Sequence, residues 1–83
     1  MKKVLKFKAS WCAPCKHLTQ ILNSVATEVT IEEVDIDQNP TLTQQYKIRG
    51  VPTMVMLHDD AEVKRFTGVK SKEELENWVL NSI

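Results

Sequence analysis

Residues 53–57, Thr-Met-Val-Met-Leu, run without a charge or a turn residue. A strand that is apolar on both faces needs cover above and below it. The chain has 83 residues and is expected to fold as one domain over 1–83. A core of that size is marginal unless both faces of a sheet are used or a covalent staple helps. The run therefore points to a central strand in an α/β fold, with helices packed on either side.

The flanking sequence supplies those layers. Residues 3–8 read as a first strand, with Val4, Leu5 and Phe7 as its apolar content. Leu18, Ile21, Leu22, Val25, Ala26 and Val29 recur at three- and four-residue spacing, which predicts a helix over 13–28. Pro14 fits its first turn, where a missing N–H costs nothing. Residues 30–36 read as a second strand. Asn39 as N-cap and Pro40 at the first helical position open a short helix whose Leu42 and Tyr46 face the core. Residues 58–61 form a hairpin turn, and 62–67 a more polar edge strand. The last helix starts at Ser71, with Glu74 completing a capping box, and Leu75, Trp78 and Val79 form its apolar face. The order is β-α-β-α-β-β-α. A right-handed crossover makes strands 1 and 2 parallel, and the tight turn makes strands 3 and 4 antiparallel. The expected architecture is a four-stranded mixed sheet with helices on both faces.

Both cysteines lie in Ser10-Trp11-Cys12-Ala13-Pro14-Cys15-Lys16, at the junction of the first strand and first helix. A thiol at a helix N-terminus is acidified by free N–H groups and the helix dipole. A second thiol three residues on lies one turn along the same face. One sulfur can then attack a disulfide and the other resolve the mixed disulfide that forms. The loop between them is too short to act as a structural staple. A closed metal site needs four ligands, and only His17 and His58 are left to add to the pair. His17 is expected to face solvent and His58 to sit in a distant turn, so redox chemistry is the favoured reading. A cluster shared between two chains is the metal alternative.

Eleven Lys and Arg balance eleven Asp and Glu, which gives no basic excess for nucleic acid or an anionic membrane surface. The longest apolar stretch is too short to span a bilayer, and Lys6 and Lys8 interrupt any signal-peptide core. The expected setting is a reducing cytoplasm, where paired cysteines are redox-active or metal-binding rather than structural.

Taken together, these residues resemble the thioredoxin family over nearly the whole chain. The resemblance rests on Phe7, Ala9 and Trp11-Cys12-Ala13-Pro14-Cys15, on Asp35-Ile36-Asp37-Gln38-Asn39-Pro40, on Tyr46-Lys47-Ile48-Arg49-Gly50-Val51-Pro52-Thr53, and on Gly68 with the helix after it. It implies that Cys12 is the nucleophile and Cys15 the resolving thiol of a protein-disulfide reductase. It implies a cis Val51–Pro52 bond beside the sulfurs. It further implies a groove framed by Trp11, Gly50, Val51, Pro52, Thr67, Gly68 and Val69, in which the Val51 backbone pairs with a substrate chain. No bound cofactor is implied. Electrons would come from NADPH through a flavin-containing thioredoxin reductase, the partners being that reductase and disulfide-bearing proteins, met as a monomer.

Three departures stand out. The family's usual first strand and first helix are missing, which leaves the minimal core also seen in glutaredoxins. Ala13 replaces the usual Gly. The buried Asp of the family's first core strand and its Lys partner on the next strand are matched by Lys6 and Glu33, with charges exchanged. Either Glu33 takes the carboxylate's role or Lys6 supports the thiolate as a desolvated amine. The alternative is that Lys6 and Lys8 are solvated on an open sheet face and Glu33 is a surface partner of little consequence. Two rival functions remain: a glutathione-coupled, glutaredoxin-like enzyme, and a binding subunit that uses the groove without turnover. Trp78 is read as core, Asp35 and Asp37 as capping and solvated groups, and Gly50 and Gly68 as conformational residues.

Overall fold

The structure is a computed structural model and describes residues 1–80. The elements are β1 (Lys2–Lys8), α1 (Ala13–Leu22), β2 (Thr30–Asp35), α2 (Pro40–Gln45), β3 (Thr53–His58), β4 (Ala61–Thr67) and α3 (Lys72–Leu80). They form one four-stranded sheet in the order β2-β1-β3-β4. β1 runs parallel to β2 and antiparallel to β3, and β3 runs antiparallel to β4. The element order, the parallel β1–β2 and antiparallel β3–β4 pairs and the two-sided cover match the sequence expectation, and the antiparallel β1–β3 pairing completes the sheet.

Strand alternation divides the core in two. Val4, Met54 and Met56 meet Leu18 of α1 and Leu75 of α3 on one face. Leu5, Phe7, Val34, Val55 and Leu57 meet Leu42 and Tyr46 from α2 and its C-terminal end on the other. Thr53 to Leu57 are all buried, as the uncharged run requires. The β3–β4 turn is Asp59-Asp60, both with left-handed φ of 52° and 71°. Two left-handed residues give the twist that joins antiparallel strands in a two-residue loop. At α3 the Glu74 N–H donates to Ser71 Oγ at 3.2 Å, while the Ser71 N–H donates to Glu74 Oε1 at 3.1 Å, which is the expected capping box.

The first helix is shorter than its periodicity predicts, ending at Leu22 rather than residue 28. The Asn23 N–H bonds to the Thr19 carbonyl and the Ser24 N–H to that of Ile21. Ser24 Oγ also donates to the Ile21 carbonyl at 2.7 Å. Side-chain bonds of this kind compete with helix continuation. Val25 and Val29 still pack on the core from the loop, which explains how their spacing imitated a helix. Asn39 occupies the N-cap position of α2, but its side chain does not cap; its amide donates to the Asp35 carbonyl at 3.0 Å. Trp78 is half-buried against the core, edge-on to Phe66 with ring centroids 5.0 Å apart.

Candidate active site

Cys12 is the N-cap of α1, with an extended backbone (φ −95°, ψ 106°). Its sulfur stands where a capping oxygen would, accepting the Cys15 N–H at 3.2 Å. The donor and the positive end of the helix both favour negative charge on that sulfur. Pro14 lies in the first turn, where it leaves no donor unpaired. Cys12 and Cys15 are joined as a disulfide, with Cα atoms 5.3 Å apart. Both residues are buried, packed with Ala9 against Ile36 and Val51.

Beside the buried pair, Trp11 is 67% exposed. Its Nε1–H donates to Asp37 Oδ2 at 3.0 Å, which fixes the ring across the end of β2. Asp37 is exposed, as expected of a solvated group, and is in addition the partner of this ring. Trp11, Ile36, Ile48, Arg49, Gly50 and Val51 line an open cavity of about 320 Å³. The Val51–Pro52 bond is cis, and the Val51 carbonyl oxygen lies 3.7 Å from Cys12 Sγ.

Thr53 Oγ1 donates to the Gly50 carbonyl at 2.7 Å and lies 3.0 Å from Thr67 Oγ1. The Gly68 N–H donates to the Pro52 carbonyl at 2.8 Å, with Gly68 at φ 102°. These bonds tie the Gly50–Thr53 segment to the end of β4. Of the expected groove residues, Trp11, Gly50 and Val51 are brought together directly. Pro52 is buried, Gly68 is tied to its carbonyl and Thr67 to Thr53, and Val69 follows as an exposed residue.

Lys6 is only 1% exposed, so the solvated reading of this residue is overturned. Its Nζ donates to Thr19 Oγ1 and, at 3.0 Å, to Glu33 Oε1. Thr19 in turn donates to the Cys15 carbonyl at 3.1 Å. Thr19 was missed in the sequence, although it lies four residues from Cys15 on the same helix face. The Glu33 side chain is 46% exposed and also meets Lys8 Nζ at 3.5 Å.

The hydrogen bond from Lys6 holds the Glu33 carboxyl below its ordinary pKa of 4.5, with the charges of Lys6 and Lys8 adding to the effect. The unfolded chain therefore takes up the proton first as pH falls. The stabilisation from Glu33 is complete above the unfolded value and is lost as pH drops through the folded one. Glu33→Gln is expected to lower the urea midpoint at neutral pH and to have little effect once the wild-type carboxyl is protonated. Urea titrations of both proteins across acidic pH check this.

Among the described residues no group of three or more His, Cys, Asp or Glu is placed to hold a metal ion, and no helix is long and apolar enough to cross a membrane. A disulfide whose first sulfur caps a helix N-terminus, beside an open groove, defines a thiol–disulfide exchange protein.

The comparisons agree with this class. The family model described as Thioredoxin matches residues 1–81. Thioredoxin of Chlamydia trachomatis is 43% identical over 75 residues, covering 87% of this chain and 74% of its own. A bifunctional thioredoxin reductase/thioredoxin of Mycobacterium leprae is 33% identical over 76 residues, covering 87% of this chain and 17% of its own. The structure of a mutant thioredoxin from Halobacterium salinarum superimposes with a TM-score of 0.87 at 29% identity, covering 94% of this chain and 71% of its own. The chain belongs to the thioredoxin family, and its activity is that of a dithiol–disulfide oxidoreductase working through Cys12 and Cys15.

Proposed function

We propose that this domain donates electrons to protein disulfides, in the cytoplasm and as a monomer. The Cys12 thiolate attacks one sulfur of the substrate disulfide and releases the other as a thiol, leaving a mixed disulfide. Cys15 then attacks the Cys12 sulfur and releases the second substrate thiol. Two electrons pass to the substrate and the Cys12–Cys15 bond re-forms. The observation that carries this reading is the Cys12 sulfur held as the cap of α1 by the Cys15 N–H at 3.2 Å. In this reading Trp11, Gly50, Val51, Pro52, Thr67, Gly68 and Val69 hold the substrate chain, with the Val51 backbone pairing to it as an added strand.

The Mycobacterium leprae relative carries its reductase and thioredoxin in one polypeptide. That fusion supports a partner of the same class here, a flavin-containing reductase that draws on NADPH. The test supplies the oxidised protein with NADPH and thioredoxin reductase, or with glutathione and glutathione reductase, and follows NADPH use against a disulfide substrate. Turnover with the first system is expected. Turnover with glutathione alone would assign the glutaredoxin-like function instead.

A further inference from the structure

Lys6 is the largest polar side chain fully enclosed by the fold, and disulfide exchange as described leaves it without a task. Its ammonium is charge-paired to Glu33 at 3.0 Å and bonded to Thr19. Thr19 also bonds the Cys15 carbonyl, so two hydrogen bonds separate the ammonium from the backbone of the buried cysteine. The Cys15 residue is itself 2% exposed. Charges so enclosed act over longer distances than they do in water.

Pairing of the ammonium is incomplete. Its carboxylate partner is half in solvent and is shared with Lys8 at 3.5 Å. A cavity of about 400 Å³ lined by Lys6, Thr19, Asn23 and Glu33 gives water a path to the cluster. The local balance of Lys6, Lys8 and Glu33 is one net positive charge. His17 and Lys16, the nearest other titratable groups on α1, are exposed.

We infer that Lys6 is a positioning residue for the redox reaction, its buried ammonium stabilising the thiolate that the reduced Cys12–Cys15 pair retains and drawing the disulfide–dithiol equilibrium toward the reduced form. The inference rests on redox turnover at Cys12–Cys15. Reduction delivers two electrons to the sulfur–sulfur bond. With one thiolate retained, a single proton is taken up, by the other sulfur. A cation that favours the thiolate stabilises the reduced protein and raises its potential, and Glu33 opposes that effect in proportion to its charge.

The test equilibrates wild type, Lys6→Met and Glu33→Gln in graded glutathione buffers from pH 5 to 9, traps free thiols, and reads thiolate formation by its ultraviolet absorbance. Lys6→Met is expected to shift the equilibrium toward the disulfide by about 3- to 10-fold at neutral pH and to raise the thiolate pKa. Glu33→Gln is expected to shift both in the opposite direction. The differences should shrink as pH falls and the thiolate is protonated in all three proteins. A purely structural role would move the midpoint of unfolding but produce no opposed, pH-dependent pair of shifts. Equal equilibria in the three proteins, or shifts of the same sign, overturn the inference. Should Lys6→Met not fold, an unchanged Glu33→Gln equilibrium overturns it alone. Failure of wild type to interchange with glutathione at all would instead refute the redox function.

Discussion

Cys12→Ser is expected to abolish disulfide reduction, lowering turnover by roughly a thousandfold or more. The sulfur at position 12 is the group capped by the Cys15 N–H at 3.2 Å, and a serine hydroxyl there is not ionised at neutral pH. Cys15→Ser should behave differently. Attack by Cys12 remains, but no second sulfur is available to release it, so the mixed disulfide accumulates. Mass spectrometry after mixing each variant with a disulfide-bonded protein separates the cases: an adduct with Cys15→Ser and none with Cys12→Ser. Adduct formation through position 15 in the Cys12→Ser protein would reverse the assignment of the two thiols.

The largest expected loss of stability follows Phe7→Ala. Phe7 is fully buried on β1, with its ring centroid 5.8 Å from that of Tyr46. It pairs in register with Val34 on one side and Thr53 on the other, so strands enclose it laterally. Truncation removes the buried ring and leaves a cavity that the flanking strands cannot close, at a cost of about 3–5 kcal/mol. Against a typical domain stability of about 5–15 kcal/mol, that leaves a marginal fold, with a melting temperature lower by roughly 15–30 °C. Thermal and urea denaturation check the figure. A loss under about 1 kcal/mol would mean that the face covered by α2 is not closely packed.

The parts of this molecule that were legible in the sequence are those governed by local rules. Ser71 and Glu74 satisfy each other across three residues, and their spacing reveals the pair. The uncharged run at Thr53–Leu57 marks a central strand, and β3 lies between β1 and β4. The capped Cys12 follows from the strand-to-helix junction. What stayed hidden depends on contacts between distant segments. Trp11 reaches Asp37 across 26 positions, and Thr19 links Lys6, 13 positions away, to the Cys15 carbonyl. Alternation places Lys6 on a face of β1, but only the packing of α1 over that face buries it. Val25 and Val29 mark the reverse case, since burial from a loop leaves the same periodic trace as burial from a helix.

The strand that organises the fold also carries its main hazard. Thr53–Leu57 is short, rich in apolar residues, and free of charge and proline, which is the composition that stacks into aggregates when exposed. In the finished sheet it lies between β1 and β4, each bearing lysine or arginine. A polypeptide that has made β3 but not yet β4, or a variant whose last hairpin has come loose, offers one open edge of this segment to its neighbours. The strand best able to hold the folded sheet together is thus the one best able to join separate chains, and β4 is the element that keeps those outcomes apart.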